Sequence, residues 1–237
     1  MNATNLNLQN PLSPQIVPRT KGVTPRDLFL FLSQKLRAIV RHDGFDFRVF
    51  VNLTLPYFAT LTPALQEKAI WHIHTLIEVC KSLQTQGLAL NDSRVMIPVF
   101  LKLNGLQAPT DTLAALNPTD LVDIYDDHGN LAFVSLAFLC APHAYSLEEV
   151  FCRPWGELYG RTTPYLANEY FELANSILSG ECSGPVNTAA ISNTQGLALA
   201  AQKGLPILLL PQTLSPIITS DCKVAGYLAV NRLELIK

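Results

Sequence analysis

The sequence predicts an α+β protein: a helical N-terminal module followed by a five-stranded antiparallel sheet with flanking helices. Three observations predict it. Apolar residues recur near every 3.6 positions in two early segments, Leu28–Val40 and Leu65–Cys80. A hairpin signature, two apolar-rich runs around Asp126-Asp-His-Gly-Asn130, opens the second half. Two long β-rich runs, Leu205–Thr219 and Val224–Ile236, close it.

The chain has 237 residues, of which 49% are hydrophobic and 15% charged. That balance argues for a packed core and against a disordered chain. Mean hydropathy is +0.22, so membrane spans were sought. No run reaches the ~18–20 apolar residues that a spanning helix needs, and the longer ones are short, Leu205–Leu210 among them with Pro206 inside it. The N-terminus lacks the basic and apolar regions of a secretory signal, which makes the cytoplasm the expected compartment. Net charge is −2 with no basic block. The electrostatic footprint of a nucleic-acid binder is therefore missing. The five cysteines (Cys80, Cys140, Cys152, Cys182 and Cys222) are odd in number, and none forms a C-x-x-C pair. They read as reduced thiols, mostly buried.

Residues 1–23 are rich in Asn, Pro and Gln without periodicity and read as a flexible or draped arm. The helical module spans 24–104. Its first helix starts at Thr24-Pro25 with Asp27 placed for a capping box. Leu28, Phe31, Leu32, Leu36, Ile39 and Val40 form its apolar face, and Gly44 closes the turn after it. Thr62-Pro63 repeats the start signal. The stripe Leu65, Ala69, His72, Ile73, Leu76, Ile77, Cys80 follows, with Gly87 as the stop. Between them, Phe45–Phe58 fits a short helix or an extended turn. Ser93–Leu103 is apolar and carries Pro98. Residues 105–117, with Gly105 and Pro109, read as a linker.

The second half, 118–237, begins with the strand Leu121–Tyr125 and its return Leu131–Leu136, with Gly129 supplying the positive φ of the turn. Ser146-Leu-Glu-Glu149 is a capping box. Pro164–Leu178 is a helix through Leu166, Tyr170, Leu173, Ala174 and Ile177, stopped at Ser179-Gly180. Val186–Ser192 is a weak strand, and the two long runs form an antiparallel hairpin through Thr219-Ser-Asp-Cys222.

This order, and several local stretches, resemble the PAS domain family over about half the chain. DLVDIYDDHGNLAFVSLAF (Asp120–Phe138) resembles the opening hairpin and first small helix. AYSLEEVFCRPWGELY (Ala144–Tyr159) is similar to the helix and turn that follow, and YFELANSILSGE (Tyr170–Glu181) to the long helix with its Ser-Gly-Glu end. LSPIITSDCKVAGYLAVNRLELI (Leu214–Ile236) looks like the last two strands. The third strand departs from the family: Ser192–Gly196 and Gln202–Gly204 compete for its polar turn, which leaves registers between 186 and 210 open.

The resemblance implies a cavity between sheet and helices. Its lining candidates are Ile124, Phe133, Phe138, Trp155, Tyr170, Phe171, Ile207, Leu209 and Tyr227. The competing reading is that these residues fill a core, as apolar residues do without further purpose. Haem ligation finds no histidine in Pro164–Leu178, and His128 and His143 sit in a turn and a loop. Covalent flavin chemistry finds a Cys152-Arg153 pair in a similar region, but without the family's Asn and Gln neighbours and with Pro154 beside it. His72 and His74 lie two apart on a helix, about 200° around the axis, and do not converge on one metal. Asp123, Asp126 and Asp127 read as a solvated turn rather than a cation site. No phosphate-loop, dinucleotide, nucleophile-elbow or zincin motif occurs. The identity of any cofactor is left unknown.

The expected function is a cytoplasmic sensory or interaction protein. It binds a small apolar or aromatic ligand or a partner protein and signals through contacts, with a homodimer through the Thr24–Val40 helix (Leu32 and Leu36) as one route. The alternatives are a scaffold with a filled core, and an enzyme with a cleft between the halves using Cys152, His143 or Glu157.

Overall fold

A computed structural model of the chain describes residues 10–12, 17–18, 22–142, 145–161, 164–189, 199–201 and 207–235, with the backbone alone at 155–156, 159–161, 164–169 and 199–201. The weak strand's second half (190–192) and His143 fall outside the described residues.

The helical module is as expected. Helix α1, Pro25–His42, is capped by Thr24, whose hydroxyl accepts from the Asp27 N–H. Helix α3, Pro63–Thr85, is capped by Thr62 in the same way. Between them α2, Pro56–Ala59, is one short turn. Helix α4, Ser93–Leu103, completes the layer. The stripe Leu28, Leu32, Leu36, Val40 is buried and α1 packs along α3. The apolar face assigned to a homodimer is thus consumed inside the monomer; Leu36 is 0% exposed. Only Phe31, at 60%, stands clear on the outer side.

The stretch expected to be a linker is built into the sheet. It holds β1, Leu106–Gln107, and α5, Thr110–Ala114. Strand β1 pairs with Ile218–Thr219, and the Thr112 and Ser215 hydroxyls share a 2.8 Å hydrogen bond. Local sequence could not show this, because the partner strand lies about a hundred residues away.

The hairpin is β2, Leu121–Asp126, and β3, Leu131–Val134. Its turn is held by Asp126, whose carboxylate accepts from the His128 and Asn130 N–H groups. Gly129 has φ +73°. Short helices α6 (Leu136–Leu139), α7 (Leu147–Cys152) and α8 (Trp155–Leu158) follow, then β4 (Tyr159–Arg161), α9 (Pro164–Leu178), β5 (Val186–Asn187), β6 (Leu199–Ala201), β7 (Ile207–Thr219) and β8 (Val224–Leu235). The five expected strands all lie in one antiparallel sheet, in the order β3-β2-β8-β7-β5. Strands β1, β4 and β6 add to it.

The outer edge of β7 is covered piecewise, by β6 at Leu208–Leu209, β5 at Thr213–Leu214 and β1 at Ile218–Thr219. Pro211 and Pro216 fall in the two gaps. A residue without an N–H cannot extend a ladder, so the prolines divide one edge into three short pairings. Strand β8 approaches β2 closely at Gly226, where a Cβ would lie 2.0 Å from the Tyr125 carbonyl oxygen.

The sheet separates two helical layers. One face packs on α3, α4, α6 and α7, with the Phe100 and Phe133 rings stacked at 4.1 Å. The other carries α9. Helix α7 ties the halves together. Its capping box is formed by Ser146 and Glu149, and buried Glu148 accepts from the N–H groups of Tyr57 (2.9 Å), Phe58 (3.3 Å) and Val51 (3.3 Å). Of the N-terminal arm, Leu12 and Val17 are buried against the body, and the Asn10 amide donates to the Ala225 carbonyl at 2.8 Å. Among the described residues no helix is long and apolar enough to cross a membrane.

Candidate functional site

The nine cavity candidates do not converge on one space, because strand parity divides them. Side chains alternate between faces, and directly paired residues share a face. Ile124 pairs with Phe133. Both are buried in the main core with Phe138 and Leu209. Tyr227 pairs with Tyr125, one step along β2 from Ile124, and so lies on the opposite face, where Tyr170 of α9 packs. Ile207 is fully buried at the start of β7. Phe171 is 47% exposed on α9. The Trp155 side chain lies outside the described residues.

The α9 face holds the perturbed groups. Asp123 and Tyr125 of β2 point there, as do Tyr227, Ala229 and Asn231 of β8 and Leu214 of β7. Ala174 and Ile177 of α9 cover them, with Tyr170 at the margin. Asp123 is 1% exposed. Its Oδ2 accepts from the Asn231 amide at 3.1 Å, while its Oδ1 has no hydrogen-bond partner. Burial pushes the Asp123 carboxyl well above the usual carboxylate range. Burial also raises Tyr170 and Tyr227, and the neighbouring Asp123 adds to both. The Tyr125 and Tyr227 rings stack at 4.8 Å. A buried acid, phenol and amide (Asp123, Tyr227 and Asn231) therefore share one patch with the half-buried Tyr125 and Tyr170, and perturbed groups cluster in this way at binding and catalytic sites.

Sequence reasoning had grouped Asp123 with Asp126 and Asp127 as a solvated turn. The structure separates them. Asp127 is exposed. Asp126 is buried too, at 4% exposure, but its carboxylate satisfies the turn, with the Lys68 ammonium 4.0 Å away. Asp123 is interior. The available signal was its place two residues before Tyr125, inside a strand whose other inward positions are apolar.

The remaining candidates are placed elsewhere. His72 is buried between the rings of Trp71 and Phe151, at 5.4 and 5.3 Å, with the Leu131 backbone beside its ring. Burial, with help from Lys68, pushes its pKa down to about 3. His74 instead lines an open groove between α1 and α3, with Phe31, Lys35 and Ile77. Burial raises the Cys152 thiol, with Glu148 adding to the effect, which works against a nucleophilic thiolate. Glu157 is exposed and bridges to Arg153 at 3.3 Å. An open groove of about 1050 Å³ lies where α1 and α3 end, near Lys35, His42 and Leu88.

No protein-family model and no curated protein matches the sequence.

Proposed function

We propose that the chain is a cytoplasmic PAS-like sensory protein. It takes a small ligand on the α9 face of its sheet and passes the state of that site to a partner protein through contacts. The observation that carries this reading is the Asp123 oxygen. A buried acceptor without a partner costs ~1–3 kcal/mol, and such groups in native structures call for an explanation. Here the group is inside the protein, beside tyrosines and under a single helix. A ligand that hydrogen-bonds to Oδ1 accounts for it, and a shift of α9 against β7 and β8 is the natural output.

A second reading is favoured by a different observation. Ile124, Phe133, Phe138 and Leu209 are all buried in one dense cluster, which suits a scaffold whose core is simply filled. Native mass spectrometry of freshly purified protein, with an absorbance spectrum, separates the two. Added mass that is lost on denaturation and missing from Asp123→Asn supports the ligand site. A bare chain mass, with Asp123→Asn changing stability alone, supports the scaffold.

A further inference from the structure

We infer that a cavity on the far side of the sheet from α9 holds a free aliphatic α-amino acid in its zwitterionic form. The cavity measures about 330 Å³, at the small end of the ~300–1,000 Å³ usual for ligand pockets. It lies apart from the Asp123 patch, so the inference does not depend on the ligand site proposed above.

Strand pairing fixes its floor. Asn187 of β5 pairs with Thr213 of β7, and Thr213 pairs with Val230 of β8. Directly paired residues share a face. Arg232 stands two positions past Val230 and so shares it too. Val186 and Leu214, the neighbours of Asn187 and Thr213, turn the other way, toward α9. Helix α5 forms a wall through Asp111, Ala115 and Leu116. It is pinned to β7 by the 2.8 Å hydrogen bond between Thr112 and Ser215. The stretch that reads as a linker in the sequence is thus one side of a cavity.

Charges of both signs meet in this small space. Asp120 Oδ1 lies 3.5 Å from Arg232 Nε, while Asp120 Oδ2 accepts from the Asn117 N–H at 2.8 Å. The buried acid is therefore held in place. A guanidinium carries five N–H donors in a fork, so Arg232 can serve Asp120 and a second carboxylate together. Asn187 turns its side-chain oxygen back on the Ala189 N–H at 2.9 Å, which leaves its amide hydrogens for a ligand. Asp111 is exposed on the α5 wall.

A zwitterion answers all of these groups. Its carboxylate accepts from Arg232 and Asn187, and its ammonium, one carbon away, donates to Asp111 and Asp120. The ligand's opposite charges stand side by side, as those of Arg232 and Asp120 do in the wall. A carboxylate alone would face two acids, and an amine alone would give Arg232 and Asn187 nothing to donate to. Ala115, Leu116 and Val230 supply apolar surface for the side chain, which suits an aliphatic group.

The test uses L-leucine, 3-methylbutylamine and 4-methylpentanoate, one carbon skeleton with both charged groups, the amine alone and the acid alone. Titration calorimetry of the full chain reads their affinities. L-leucine is expected to bind in the millimolar range or tighter, and each of the other two about 10-fold or more weaker, the effect of losing a hydrogen bond between charged groups. Arg232→Gln is expected to weaken L-leucine by about 10-fold or more and to spare the amine. Asp111→Asn is expected to weaken L-leucine and the amine and to spare the acid. It lies at an exposed position and decides the question if Arg232→Gln does not fold. Asp123→Asn, on the other face, is expected to change none of the three affinities. L-leucine binding no tighter than either partial probe overturns the inference, as does L-leucine binding indifferent to both Arg232→Gln and Asp111→Asn, or no binding of any probe. L-leucine binding that falls with Asp123→Asn but not with Asp111→Asn overturns it as well, and assigns the ligand to the α9 face.

Discussion

The two faces of the sheet are built on opposite principles. The face toward α3, α4, α6 and α7 is dense with aliphatic and aromatic side chains, and its cluster runs on into α1. Among the described residues the face toward α9 is covered by one helix, has a small apolar cluster, and contains an aspartic acid, three tyrosines and an asparagine. Dense apolar packing and buried polar groups are thus divided between surfaces that share the same strands. A dense face sets the strand registers, because a one-residue slip would turn every side chain over. With registers set there, the thin face can tolerate a polar patch. Regions with few apolar contacts also open at lower free energy, and α9 rests on the sheet through such a small cluster.

Two of the buried titrating groups, one on each side of the sheet, respond to pH in opposite directions. Asp123 has its folded pKa raised by burial. Its folded form keeps a proton that the unfolded chain releases near pH 4, so its contribution is fully present below about pH 4 and is lost as pH rises through the folded value. His72, in the helical layer, has its folded pKa lowered to about 3 by burial and by Lys68. Its contribution is present above about pH 6.5 and is lost as pH falls toward 3.

The most severe expected effect breaks the dense face. Leu36→Glu forces a carboxylate into the α1–α3 contact, and a loss of about 4 kcal/mol or more is expected. Circular dichroism should find little folded protein. A folded monomer of near-normal stability would instead restore the outward, dimer-forming role assigned from the sequence.

Glu148→Ala cuts the tie between halves rather than a face. Three N–H donors of the 51–58 segment lose their acceptor, and about 3 kcal/mol is expected from urea unfolding. A change below about 1 kcal/mol would mean that solvent replaces the carboxylate there.

Asp123→Asn sharpens the comparison. At neutral pH it is expected to stabilise by about 1 kcal/mol, by removing a buried acid that must stay protonated. The gain should shrink as pH falls toward 4 and grow as it rises, read as the difference between thermal midpoints of the two proteins. A difference that does not vary with pH would contradict the burial argument. His72→Phe should show the reverse trend, stabilising most in acid. The smallest effect is expected at Phe171→Ser on the exposed side of α9, within about 0.5 kcal/mol. A larger loss there would mean that the outer face of α9 is also covered.

Much of the fold was legible because its signals are short in range. Thr24-Pro25 and Thr62-Pro63 announce helices through caps completed within three residues. Ser146 and Glu149 satisfy each other's backbone within one turn. The hairpin turn closes on Asp126 within four. Strand parity was legible too, and it already puts Ile124 and Tyr125 on different faces. The nine candidates were nevertheless gathered around one cavity, because family resemblance suggested a lining without stating which face each residue takes.

By itself, then, the sequence determined the longer elements, most of their ends and the side on which each of their strand residues stands, while the short β1, α5, β4 and β6 escaped it. Those follow from backbone hydrogen bonding and periodicity within a few residues. Tertiary structure alone decided that α1 spends its apolar stripe on α3, that 105–117 joins the edge of β7, and that Asp123 lies inside while Asp126 and Asp127 serve the turn. Each of those outcomes depends on a partner far along the chain (Ser215 for Thr112, Asn231 for Asp123), and burial is a property of the assembled layers rather than of any local stretch.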